Sequence, residues 1–341
     1  MSKASSQRMT AVRPPTIIDV ARRAGVSKSA VSRAFTGGSV SEDTRERVLK
    51  AASELRYRPS HSARSLKTNR SRLIGLAVTH LDNQFYPEVI EKFSGRLACD
   101  GCRVVLFVTR GEAGLEPMID ELLGFGLDGV ILASSSHAAE VAAECTRAAM
   151  PVIMFNNVDT SGRLPGVCTD NELGAAIVAD HLIGLGHSSI AIIEGVPDSS
   201  TSRERVTAFR ERMLKAGLPD PVLRSGDYSS QGAAQATREL LMAEAPPTAI
   251  FCANDHMALA AIETCHELGK APGRDVSIAG FDDVGIAAWP SFSLTTYKQP
   301  VAAMVDACVE GLFAEIAGER MIGETLRLPG ELVVRSSTGK N

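Results

Sequence analysis

Apolar residues first recur at helical spacing in three short segments. Ile17, Val20, Ala21 and Ala24 form one stripe. Thr16 precedes it and Asp19 follows three residues later, a variant of the capping box. Gly25 ends that helix. Ser27 opens a second helix with Ala30, Val31 and Ala34 inward, and Thr36-Gly37-Gly38 breaks the chain. Ser41 opens a third helix of about 14 residues, with Val48, Leu49, Ala52 and Leu55 on one face and Pro59 as its stop. Residues 60–70 are polar and basic around one isolated Leu66. They read as a linker that is helical only conditionally.

From Ser71 the texture changes to short β-branched runs between helical stretches. Strands are predicted at Leu73–Thr79, Arg103–Thr109, Gly129–Ala133, Val152–Phe155, Ile190–Glu194, Ala249–Ala253, Val276–Phe281 and Leu294–Tyr297. Helices are predicted at Tyr86–Asp100, Leu115–Gly124, Glu172–Gly184, Ser202–Ala216, Ala233–Ala243 and His256–Leu268. Continuous apolar strands between helices mean parallel sheets covered on both faces. A stretch of this length suggests two doubly wound lobes. The fold class is therefore an N-terminal all-α helix-turn-helix domain followed by an α/β body of two doubly wound parallel-sheet lobes.

Charge sharpens the division. Residues 1–72 carry 16 Lys and Arg against 5 Asp and Glu, a net +11, whereas the remainder carries 20 against 35, a net −15. The basic part suits a polyanion; the acidic body does not. Residues 1–15 are polar, lack the apolar core of a secretory signal and read as a disordered tail. Seven cysteines scattered through apolar segments fit a reducing, cytoplasmic setting. The one close pair, Cys99 and Cys102, has no second pair or nearby histidines to complete a metal site. No apolar run is long enough to cross a membrane.

The outer face of the second helix carries Lys28, Ser29, Ser32 and Arg33. A helix of that size fits the major groove, where Arg can donate two hydrogen bonds to guanine. The stretch from Thr16 to Val78 closely resembles the N-terminus of the lactose-repressor/galactose-repressor (LacI/GalR) family of transcription factors. The matching residues include Asp19-Val20-Ala21, Ala24-Gly25-Val26-Ser27, Val31-Ser32-Arg33, Val40-Ser41, Thr44-Arg45, Tyr57, Pro59, Ala63-Arg64, Leu66 and Ile74-Gly75. The resemblance continues through most of the chain. It implies a DNA-facing set of Thr16, Ser27, Lys28, Ser29, Ser32 and Arg33, joined by Ser60, Ala63, Arg64, Leu66 and Lys67 of the linker. In the family the segment matching His61–Lys67 folds as a hinge helix on DNA. The position of Leu66 wedges into the minor groove there, a role that physics allows an exposed apolar side chain.

The resemblance further implies a periplasmic-binding-protein-like body crossed three times by the chain. Its domains are then 16–59 for DNA binding, 60–70 as hinge, and 71–341 for effector binding and dimerisation. Lobe one is 71–168 with 300–323; lobe two is 169–299 with 324–335. Ligands of such sheets bind at strand C-termini. Polar clusters follow the strand ends at His80–Tyr86, Thr201–Arg205, Asn254-Asp255 and Asp282-Asp283. By resemblance, Arg203, Asn254 and Asp282 contact the effector, Tyr228 stacks on it, and Phe85 and Tyr86 form a further pair. Phe85 reads also as core, Trp289 as cleft rim or core, and Asp255 and Asp283 as caps or hinge partners. Arg205 reads as structural, fixing its helix to a carboxylate. The chain departs from the family in carrying Phe292 where Pro often precedes Leu294-Thr295-Thr296.

The chain shows no G-x-G-x-x-G followed by an acidic residue in the dinucleotide pattern, no P-loop and no nucleophile elbow, so catalysis is not expected, and no cofactor or metal is implied. A transport protein of similar fold has no use for residues 16–67. The sequence thus predicts a cytoplasmic homodimeric repressor of a carbohydrate-catabolic operon. It binds a pseudo-palindromic operator and is switched by a small sugar or sugar acid.

Overall fold

The computed structural model describes residues 13–58, 70–78, 81–108, 115–133, 138–159, 162–319 and 323–341. The chain divides into two compact units, 1–71 and 72–341. Most of the tail and nearly all of the linker, with Ser60, Ala63, Arg64, Leu66 and Lys67, lie outside the described residues, as does His80.

The N-terminal unit holds α1 (Ile17–Ala24), α2 (Lys28–Phe35) and α3 (Glu42–Glu54). Each start is chemically marked. The Asp19 carboxylate accepts from the Thr16 backbone N–H at 2.9 Å and the Thr16 hydroxyl at 2.7 Å. Those bonds hold its pKa below the usual carboxylate range, so it stays ionised at the positive helix end. Ser27 accepts from Ala30 N–H and Ser41 from Thr44 N–H. Val20, Val31 and Val48 are fully buried at the centre of the small core. The expected α3 face holds at Val48 and Ala52, which are buried, and at Leu55, which packs against them, but Ala51 takes the place of Leu49, which is 47% exposed. Arg45 donates to the carbonyls of Ala34 and Gly38, closing the α2–α3 turn.

The body begins with β1 (Leu73–Val78), α4 (Phe85–Cys99), β2 (Arg103–Val108), α5 (Leu115–Gly124), β3 (Gly129–Leu132), α6 (Ala138–Arg147), β4 (Val152–Phe155) and β5 (Gly166–Thr169). It continues with α7 (Asn171–Gly184), β6 (Ile190–Glu194), α8 (Ser200–Lys215), β7 (Val222–Ser225), α9 (Ser230–Leu241), β8 (Ala249–Cys252), α10 (Asp255–Glu267), β9 (Ser277–Asp282) and β10 (Thr295–Lys298). Then come α11 (Val301–Ala317), β11 (Thr325–Leu328) and β12 (Glu331–Val333). Two six-stranded sheets result, ordered β11-β5-β4-β3-β1-β2 and β12-β10-β9-β8-β6-β7. All pairings are parallel except β10 with β12. The central strands are buried along their whole length, which explains their unbroken apolar runs. The edge strand β7 is exposed throughout and lacks that signature.

The chain leaves the first lobe after β5, returns through α11, and crosses again between β11 and β12. The last crossing differs from expectation. Residues 325–328 pair with β5 in the first sheet, so the boundary falls near Gly330 rather than at residue 323. There the backbone passes so close that a Cβ on Gly330 would stand 2.0 Å from the Lys298 carbonyl, and Gly330 N–H donates to the Tyr297 hydroxyl at 2.8 Å.

Aromatic pairs lock the layers: Phe209 stacks on Phe251 at 4.6 Å and Phe281 leans on Tyr297 at 5.0 Å. Helix α7 approaches the second pair through Gly174, where a Cβ would lie 2.6 Å from the Tyr297 ring and 2.8 Å from Phe281. Gly174→Ala is therefore expected to cost about 1–3 kcal/mol through overpacking. Equilibrium unfolding in urea checks this, and an unchanged midpoint would refute the tight approach.

Candidate functional site

Two surfaces collect the residues singled out above, one in each unit. On α2, Ser27, Lys28, Ser29 and Arg33 are exposed, while Ser32 is half-buried beneath them. Val31 and Ala34 on the opposite face anchor the helix. The hydroxyls of Ser27 and Ser29 lie 2.9 Å apart. Thr16 is half-buried and engaged with Asp19. The basic outer face is thus presented by a small rigid scaffold.

The second surface is a polar cleft in the body. It encloses about 460 Å³ of space partly open to solvent. From lobe one it is lined by Asn83, Phe85, Tyr86 and Asn156, and from lobe two by Ser199, Thr201, Arg205, Tyr228, Asn254 and Asp282. All sit at or beyond strand C-termini, and several open the next helix. Ser199 caps α8 and Asn254 caps α10, accepting from Met257 N–H at 3.0 Å. Two helix N-termini with positive partial charge therefore flank the cleft.

Five of the six expected effector residues line this cleft: Phe85, Tyr86, Tyr228, Asn254 and Asp282. Phe85 is also core, at 3% exposure, with its ring edge-on to Tyr86 at 5.8 Å. The phenol of Tyr228 lies 3.2 Å from the hydroxyls of both Ser199 and Thr201. Burial raises the pKa of the Tyr86 phenol well above its usual value, so its hydroxyl is a neutral donor at any working pH. Trp289 is 59% exposed and does not line the cleft.

Arg203 is the correction. It is exposed, and its guanidinium donates to the Pro197 carbonyl at 3.1 Å. The cleft arginine is Arg205. Two residues apart on α8 means about 200° of rotation, so only one of the pair can face inward. The helix starts at Ser200, two residues before the predicted start, and the phase brings Arg205 in.

Arg205 is the best-connected side chain of the site, at 2% exposure. Its Nε donates to Asn171 Oδ1 at 2.9 Å and its Nη1 to the Ala253 carbonyl at 2.7 Å. Nη1 also stands 3.6 Å from Asp282 Oδ1, and the guanidinium lies 3.8 Å above the Phe281 ring. Nη2 has no hydrogen-bond partner among the described residues, and neither does Asn156 Oδ1.

The carboxylates around it are layered. Asp282 accepts from Gln299 Nε2 at 2.6 Å. Asp255 accepts from Val284 N–H and the Thr296 hydroxyl, and so works as a hinge partner while Asn254 caps the helix. Burial raises the pKa of both carboxyls, and the Arg205 cation opposes the rise at Asp282. Asp283 pairs with Arg335 at 2.6 Å.

Two further contacts tie the lobes together. Arg327 on β11 grips Glu204 on α8 with both terminal nitrogens, at 2.7 and 3.0 Å. The Ser200 hydroxyl donates to Asn157 Oδ1 and accepts from Val158 N–H.

Of the lining residues, Asn156 and Ser199 fall outside the clusters the sequence singled out, whereas Asn83, Thr201 and Arg205 lie inside them without having been assigned as contacts. The available signal was position: Asn156-Asn157 directly follows a buried strand, as the other polar clusters do.

The chain matches known proteins over nearly its whole length. Residues 16–60 match the model of bacterial regulatory proteins of the lacI family, and residues 179–338 match a periplasmic binding protein-like domain. The HTH-type transcriptional repressor PurR of Aliivibrio salmonicida is 31% identical over 331 residues, which is 95% of this chain and 99% of its own. A solved structure of the Lac repressor dimer bound to operator and the anti-inducer ONPF superposes with a TM-score of 0.85 at 30% identity, covering 96% of this chain and 99% of that one. A complex of the transcriptional regulator CelR with cellobiose gives 0.73 at 29% identity over 95% of this chain and 99% of its own. With a basic helix-turn-helix unit and a two-lobed body around a polar cleft, this chain belongs to the LacI family: it is a DNA-binding transcriptional repressor with an effector-binding domain, and not an enzyme.

Proposed function

We propose that this repressor controls a carbohydrate-catabolic operon and that a small neutral sugar in the inter-lobe cleft switches its affinity for the operator. The observation that carries the reading is the charge balance around Arg205. Its guanidinium already faces Asp282, so the described lining is polar but has no uncompensated cation for a carboxylate or phosphate. Sugar acids are thereby disfavoured relative to neutral sugars. What Arg205 offers is the unpaired Nη2, with its two N–H donors, on a lining shared with the hydroxyls of Ser199, Thr201 and Tyr228 and the rings of Phe85 and Tyr86. Hydroxyl-rich rings satisfy such a lining, whereas an apolar ligand would leave its polar groups unpaired. The solved CelR complex holds cellobiose, a ligand of this type.

Operator reading falls to Lys28, Ser29 and Arg33 at base edges. Thr16, Ser27 and Ser32 steady the backbone register. Ser60, Ala63, Arg64 and Lys67 follow the phosphates, and Leu66 enters the minor groove as a wedge. A pseudo-palindromic operator requires two such units, hence a homodimer. The effector acts by linkage. It shifts operator affinity only as far as it binds one lobe closure angle better than the other. The Glu204–Arg327 and Ser200–Asn157 contacts are the natural elements to remake as that angle changes.

Three measurements test this. Melting of the full chain against cellobiose, lactose, glucose, ribose, gluconate and glucose 6-phosphate is expected to show a shift of several degrees with a neutral sugar alone. A shift confined to the charged compounds would overturn the neutral-sugar reading. Arg205→Lys is expected to abolish the shift and Arg203→Ala to preserve it; the reverse pattern would restore Arg203 as the contact. Arg33→Ala is expected to weaken specific binding by about 1–3 kcal/mol and relax one guanine position per half-site in selections from random duplexes. Unaltered preference would remove Arg33 from base readout.

A further inference from the structure

With Arg33 taken as a base reader, on which this rests, we infer that Gly38 and Arg45 aim its guanidinium. They are positioning residues for operator recognition, and they act through Arg33.

Arg33 lies in the last turn of α2. A basic side chain there commonly folds back onto the last carbonyls of its own helix. In this chain those acceptors are already occupied. The Ser32 carbonyl accepts from the Thr36 N–H at 3.1 Å and from the Thr36 hydroxyl at 2.9 Å. The Arg33 carbonyl accepts from the Gly38 N–H at 3.0 Å. The Ala34 carbonyl accepts from Arg45 Nη1 at 2.8 Å, while Arg45 Nη2 reaches the Gly38 carbonyl at 3.3 Å. The half-buried Arg45 cation thereby also answers the negative end of α2. The Arg33 side chain is left exposed, with no hydrogen bond or ion pair among the described residues. Its guanidinium is free for a ligand outside the fold.

The stem of that side chain is set by a second contact. Gly38 passes directly against it: a Cβ at position 38 would stand 3.0 Å from Arg33 Cγ and 3.1 Å from Arg33 Cβ. Both are closer than ordinary carbon–carbon contact, so any side chain there pushes the stem aside. The helix blocks one of the three χ1 directions at Arg33, which narrows where the stem can go. A small shift at the stem grows along the side chain to the guanidinium, and a two-bond match to guanine depends on its placement. The backbone does not explain this glycine. Gly37 has φ 72°, which favours glycine, whereas Gly38 lies outside that region. The stem of Arg33 is what position 38 must leave room for.

The test uses the full-length protein as wild type, Gly38→Ala, Arg33→Ala, the double variant and Arg45→Lys, with duplexes selected from a random pool by the wild type. Gly38→Ala is expected to lower the preference for the guanine that depends on Arg33 at least about threefold per half-site. Preferences at the other positions, affinity for a duplex of unrelated sequence and the melting midpoint are expected to stay unchanged. When Arg33 is already alanine, adding Gly38→Ala should change specific affinity by no more than about twofold, because no guanidinium is left to aim. Arg45→Lys is expected to lower the same guanine preference, since an ammonium lacks the planar fork that spans two carbonyls. Full guanine preference in Gly38→Ala or in Arg45→Lys would overturn the inference. So would an equal loss from Gly38→Ala with and without Arg33, or a uniform loss on all duplexes with a lowered melting midpoint, since either marks a purely structural role. If Arg33→Ala itself leaves the guanine preference intact, base reading by Arg33 fails and the aiming role falls with it.

Discussion

A buried guanidinium organises this molecule's body. Withdrawing the Arg205 charge from water costs on the order of several kcal/mol unless partners surround it. Those four partners come from three places in the chain: Asn171 at the start of α7, the carbonyl after β8, and the end of β9, which supplies both the Asp282 carboxylate and the Phe281 ring. Each must arrive together, so the ends of β8 and β9 and the starts of α7 and α8 are fixed relative to one another. The cleft inherits its shape from that requirement. One terminal nitrogen is left over, and it lies on the wall of the cleft.

Around this centre the second lobe is rigid and well satisfied. Asp255 holds the end of β9 to β10, Arg335 covers Asp283, and His187 bonds Thr248, Ser277 and the Gly339 carbonyl to pin the C-terminal segment. Among the described residues, the contacts between lobes are fewer. Arg327 is about one-third exposed in its pair with Glu204, and Ser200 makes one shared hydroxyl contact. Strong order within a lobe and sparse bonding between lobes is the arrangement that lets a ligand of modest size bias a closure angle.

Much of this was legible in the residues. The helix starts at Thr16, Ser27 and Ser41 were readable because capping is local chemistry. The central strands were readable because burial on both faces demands continuous apolar runs. Strands β5, β7, β11 and β12 were not: β7 is exposed throughout, β11 and β12 are short and partly exposed, and β5, though buried, is only Gly-Val-Cys-Thr, too short and mixed for an apolar run. The third crossing was misplaced for the same reason. Leu49 went astray because it lies about 100° round the helix from Val48, so the face through Val48, Ala52 and Leu55 turns it outward.

The amino-acid order by itself therefore determined the two-unit plan, the basic reading helix, the doubly wound lobes and five of the six residues expected in the cleft. These follow from periodicity, capping and charge, all short-range properties, and from a dense family motif. Only the tertiary structure decided between Arg203 and Arg205, because both fit the spacing and the rotation of α8 against β8 and β9 selects one. Only it revealed Asn156, because an acceptor is recognised as unpaired when every neighbour that might serve it has been placed.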